Sequence, residues 1–64
     1  MNFIEALEVS DSLYHPDYGS FNIISVDTAT LEVFMESDLD EIVVPIDRLK
    51  GAKLFSLKEL NYED

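Results

Sequence analysis

Cysteine is absent from this 64-residue chain, and no Lys or Arg occurs before position 48. Without cysteine there are no disulfides and no thiolate metal sites. The length lies near the lower limit for a domain that folds without such staples, so stability must come from apolar packing or from a partner. The second absence concerns charge. Eleven of the fourteen carboxylates precede Arg48, and the four basic residues Arg48, Lys50, Lys53 and Lys58 follow within a short span, for a formal net charge of −10. Nucleic-acid affinity rests mostly on Lys and Arg neutralising phosphates, so direct binding to DNA or RNA is excluded as a leading reading. Anionic membranes are disfavoured for the same reason. A protein partner with a basic surface, met by a charge-steered encounter, fits this field.

Other features are scarce. The only glycines are Gly19 and Gly51, and neither opens a long helix, so there is no phosphate-cradling loop. No run approaches the roughly 18 apolar residues of a membrane span. The start, "MNFIEALEV", lacks the basic and long apolar regions of a signal peptide, which sets the expectation of a cytoplasmic protein. His15 is the single histidine. Catalysis by a lone histidine needs an orienting carboxylate and a nucleophile. Asp11, Asp17, Ser10, Ser12 and Ser20 lie near it in sequence but form no triad motif. A corner histidine bonded to backbone or solvent is the simpler reading. A core this small can hardly spare the few hundred cubic ångströms of a cofactor pocket, so neither enzyme activity nor a cofactor is expected.

What is present is 47% hydrophobic, enough for one compact core and too much for a disordered acidic tail. In "NFIEALEV", Phe3, Ile4 and Leu7 have helical spacing, which admits a short helix or an extended lead-in. Their apolar face reads as core before it reads as a docking surface. From Leu13 onward, short strands alternate with punctuation. "SFNIISVD" ends at the polar turn "DTAT". "LEVFME" follows, with Leu31, Val33 and Met35 on one face and Glu32 and Phe34 on the other. "SDLD" makes a turn, and "EIVVP" stops at Pro45, which cannot donate to a central ladder. "IDRLKG" reads as a helical or 3-10 turn closed by Gly51, and "AKLFSL" as the last strand. The expectation is a single domain over 1–64 of all-β class. It is a small five-stranded SH3-like barrel over about 11–57, with one 3-10 turn before the last strand and a polar tail at 58–64.

The stretch "DSLYHPDYGSFNIISVD", followed by "LEVFME", "IVVP" and "DRLKG", resembles the SH3-like or Tudor-like barrels of transcription and repair proteins. Similar patterns occur in the C-terminal domain of UvrD-type helicases and in the RNA-polymerase-interacting domain of CarD and the transcription–repair coupling factor. Tyr14, His15, Pro16, Tyr18 and Gly19 stand at the first corner of that pattern, Val33 and Met35 in its middle strand, and Val44, Pro45 and Leu49 at its final turn. The resemblance implies docking on a protein such as RNA polymerase, often by adding a strand to an exposed edge. Two departures stand out. Ser20 and Phe21 follow Gly19 where the pattern has a second glycine, and the family's basic surface is missing, so its nucleic-acid contacts are not carried over.

The residues themselves account for the corner. Pro16 fixes its own φ and drives His15 extended, while Gly19 can take a positive φ where the chain reverses. Tyr14, Tyr18 and Phe21 are candidates to cover the open end of a small barrel and to anchor a partner. The run "ESDLDE" alternates Asp38 and Asp40 as a calcium loop does, but Ile42 takes the third ligand position and no glycine follows. It reads as a solvated hairpin tip, with Glu36, Asp38, Asp40 and Glu41 as candidates for electrostatic contact. The leading function is thus a non-enzymatic acidic adaptor or regulator that binds a protein, with RNA polymerase implied by the resemblance. The alternative is a phage- or plasmid-type inhibitor whose carboxylates mimic DNA charge. The pattern also admits a homodimer formed through a free strand edge.

Overall fold

The computed structural model describes residues 2–56. The expected polar tail at 58–64, and Leu57 at the end of the expected barrel, lie outside the described residues.

The chain begins with helix α1, Phe3–Val9, which decides between the two N-terminal alternatives. Its start is a reciprocal capping box. Asn2 Oδ1 accepts from the Glu5 N–H at 2.9 Å, and Glu5 Oε1 accepts from the Asn2 N–H at 3.3 Å. Two N–H groups that would otherwise lack helical partners are satisfied at once. At the other end Ser10 Oγ donates to the Ala6 carbonyl at 2.6 Å, and the chain turns extended.

Five strands follow: β1 Ser12–His15, β2 Gly19–Asp27, β3 Glu32–Glu36, β4 Glu41–Pro45 and β5 Lys53–Phe55, with a 3-10 turn at Ile46–Leu49 before β5. They form one antiparallel sheet in the order β4-β3-β2-β1-β5. β4 and β5 are its two edges, so the sheet is open. Gly19 and Gly51 hold φ of 94° and 92° where the chain re-enters β2 and leaves the 3-10 turn, values that only glycine takes without strain.

One sequence expectation is corrected here. Leu31 stands outside β3 and is not buried with Val33 and Met35. It closes the β2–β3 turn at φ 60° and is 52% exposed. The cause is turn chemistry. Asp27 Oδ1 accepts from the N–H groups of Ala29 and Thr30 at 2.9 and 3.2 Å, which winds the loop tightly and leaves its last residue left-handed before β3 can start at Glu32.

The core lies against one face of the sheet. Alternation turns Leu13 of β1, Val33 and Met35 of β3 and Val44 of β4 inward. Leu7 of α1 and Ile46 and Leu49 of the 3-10 turn complete the cluster, with Phe3 and Ile4 partly buried beside it. β2 reaches this core through a bulge. Ile23 pairs with Met35 and Ser25 with Phe34, leaving Ile24 as the extra residue. Ile23 and Val26 can then both pack inward although they are three positions apart. No described helix is long and apolar enough to cross a membrane.

Candidate functional site

The first corner is built around His15. The residue is only 8% exposed, and Nδ1 accepts from the Asp17 N–H at 3.0 Å. An accepting Nδ1 carries no proton, so the neutral ring holds its hydrogen on Nε2. The Tyr18 ring lies against it, with centroids 5.2 Å apart at a tilt of 54°, and the Tyr18 N–H donates to the His15 carbonyl at 3.2 Å. The Nδ1 lone pair thus helps to hold the turn between β1 and β2.

The three candidate aromatics do not form one patch. Tyr14 pairs with Ser20 and Lys53 and lies 43% exposed on the sheet face away from the core. Phe21 pairs with Leu13 on the opposite face, and both Phe21 and Tyr18 pack against the core cluster. The division follows from the strand period of two: Tyr14 and Leu13, one residue apart, must point to opposite faces.

The acidic candidates gather at the β3–β4 hairpin. Ser37 Oγ accepts from the N–H groups of Leu39 and Asp40 at 3.3 and 3.2 Å, and the Ser37 N–H donates to the Asp40 carbonyl at 2.7 Å. That closes the tip and sets Glu36 directly opposite Glu41. An open groove of about 330 Å³ brings Phe21 together with Glu36 and Asp38, with Phe55 also lining it. Among the described residues, no group of three or more His, Cys, Asp or Glu converges as a metal site would require.

The edge of β4 is the feature that single-strand reading passed over. The Ile46 N–H reaches the Leu31 carbonyl at 2.9 Å. Together with the Ser37–Asp40 bond and the β3–β4 register, it fixes the ladder's parity. Ile42, Val44 and Ile46 direct their N–H groups toward β3. Val43 therefore turns both its N–H and its C=O outward, as Glu41 does, and Pro45 has only a carbonyl to offer. Among the described residues no strand pairs with this edge.

Beside the edge, the outer sheet face is ordered in rows. Glu41 lies opposite Glu36. Val43 lies opposite Phe34, which pairs onward with Ser25. Pro45 lies opposite Glu32, which pairs onward with Asp27. Two like-charge pairs thus flank one apolar pair. Directly opposed like charges cost stability. The ion pair found between described residues is elsewhere, Lys50 Nζ to Asp47 Oδ1 at 3.8 Å, with both side chains exposed. Of these residues, sequence reasoning had singled out Glu36 and Glu41. Asp27, Glu32, Phe34 and Val43 were legible as strand residues, but their rows depend on hairpin register. No family model, curated protein or solved structure matches this chain.

Proposed function

We propose that this chain is a non-enzymatic acidic adaptor or regulator that takes an extended segment of a basic protein partner onto the free edge of β4. The observation that carries the reading is the outward N–H and C=O of Val43, set between carboxylates and unpaired among the described residues. Strand addition draws affinity from main-chain hydrogen bonds and specificity from alternate side chains. The strand order, the bulge at Ile24 and the 3-10 turn before β5 support a finer fold reading, an SH3-like barrel left open between β4 and β5. RNA polymerase is the partner class that the CarD-like pattern brings with it, and the cytoplasm is the compartment where the two would meet. Tyr14, exposed beside β5, and the groove shared by Phe21, Glu36 and Asp38 would widen the contact. Asp40 and Glu41 would add to the field that steers the encounter.

Affinity capture from cell lysate with two baits, the unchanged chain and Val43→Pro, tests this at low and moderate salt. Proline at position 43 removes the outward N–H and leaves the bonds to β3 in place. The expected result is a protein with a basic surface, RNA polymerase first, enriched by the unchanged chain and lost from the variant. Equal recovery by both baits, or recovery by neither, overturns the proposal. The same capture separates the charge-mimic alternative. A mimic would lose its target to excess duplex DNA and to neutralisation of Glu36, Asp38, Asp40 and Glu41 together, and would be indifferent to Val43→Pro.

A further inference from the structure

The rows beside the β4 edge specify more than a basic partner. We infer that the edge selects an extended strand in which a basic, an apolar and a second basic residue recur at every other position. This rests on the strand-addition reading above and names the segment that reading calls for.

Same-face residues on a strand repeat about every 6.8 Å. An added strand would therefore set three side chains against Glu41, Val43 and Pro45 in turn. The first meets Glu41 with Glu36 behind it. Two carboxylates held opposite one another, with no described Lys or Arg paired to either, favour a cation there. The second meets Val43, 47% exposed, with the half-buried Phe34 behind it, and an apolar side chain continues that row. The third meets Pro45, whose ring carries no charge and lets a long aliphatic stem lie across it. Beyond Pro45 stand Glu32 and Asp27. An arginine has the length to cross the ring and the forked donors to meet a carboxylate.

A second copy of the chain suits the edge poorly. Antiparallel pairing of two β4 strands centred on Val43 places Glu41 of one beside Pro45 of the other. Each row Glu36–Glu41 would then run into the copy's Glu32 and Asp27, with no cation in the line. Charge complementarity thus commits the edge to a basic strand.

Three short peptides test this against the full-length protein by amide chemical-shift titration. One carries the alternating core Arg-Thr-Val-Thr-Arg. The second has the same composition reordered as Arg-Thr-Val-Arg-Thr, which sends one arginine to the other face. The third is Glu-Thr-Val-Thr-Glu. The alternating peptide is expected to shift residues of β4 saturably, to slow hydrogen exchange at the Val43 amide, and to bind about fivefold more tightly than the reordered one, from cross-strand charge pairs alone. The acidic peptide should not bind. Glu41→Gln with Glu32→Gln should erase the preference between the two arginine peptides while Val43 remains protected. Equal affinity for the two arginine peptides, with Val43 protected by both, overturns the alternating pattern and leaves the basic-strand reading standing. No protection of Val43 by any peptide, or shifts confined to the Phe21–Glu36–Asp38 groove, overturns both. Concentration-dependent protection of Val43 without peptide overturns the choice of partner in favour of a second copy.

Discussion

Leu31 is where a single backbone angle carries a cost. A left-handed conformation costs a non-glycine residue roughly 1–2 kcal/mol, and Leu31 holds φ at 60° with half its surface in water. Its side chain lines an apolar groove of about 380 Å³ with Phe3, Ile4 and Ile46. Comparing glycine with alanine at this position isolates the backbone term. In an ordinary strand or helix glycine is the less stable of the two by about 0.5–1 kcal/mol. Here the order should invert, with Leu31→Gly more stable than Leu31→Ala by about 1 kcal/mol in urea melts. Alanine equal to or better than glycine would show that the angle is not held in solution. The residue also marks a limit of reading by pattern. Alternation put Leu31 in step with Val33 and Met35, because the period of two carries no information about where a turn ends. The decisive contacts, Asp27 Oδ1 to two backbone N–H groups, act across the loop. By contrast Gly19, Pro16 and Gly51 were legible because each has a local conformational preference that needs no partner.

The elements themselves were readable from local signals. Short β-rich runs, their punctuating turns and the "IDRL" turn all stand near their expected places, although β5 is shorter than "AKLFSL" implied. What was not readable is which strand ends the sheet and which side chains share a row, since both follow from pairing between distant segments. The Asn2–Glu5 capping box was present in the letters, and it is what favours helix over the extended alternative in so short a segment. The pairing of Glu36 with Glu41 leads to a prediction about β3 and β4 as a unit. Like charges directly opposed on a sheet cost roughly 0.2–1 kcal/mol. Glu36→Gln and Glu41→Gln should therefore each raise the melting temperature by about 1–8 °C. The double variant should gain less than the sum, since either change alone removes the repulsion. Additive gains in a thermal melt would mean that each glutamate answers to the general field and not to the other. Gains in stability accompanied by weaker binding of the arginine peptide would show carboxylates kept at this edge against the interest of the fold.

Over the whole molecule, the net charge of −10 sets folding and association against each other in their response to salt. The Cα radius of gyration is 11.5 Å. The Debye length is about 30 Å at 0.01 M ionic strength and about 8 Å at 0.15 M. In dilute buffer, then, most described carboxylates lie within the unscreened reach of one another, and the compact state bears much of that self-repulsion. Near physiological salt only immediate neighbours still interact. Unfolding spreads the charges apart, so screening relieves the folded state more than the unfolded one. The melting temperature should rise as sodium chloride goes from 0.01 to about 0.15 M, and most of the rise should come in the lower half of that range. Attraction for a basic strand has the opposite sign, so the same salt should weaken binding of the arginine peptide, mainly by slowing its association. The two trends, measured on one preparation by thermal melts and by peptide titration, should cross. A melting temperature that stayed flat or fell over this range would mean that exposed pairs such as Lys50–Asp47, which salt weakens, outweigh the excess of negative charge. The surface would then be acidic in composition without being acidic in its energetics, and the steering assigned to it would have no source.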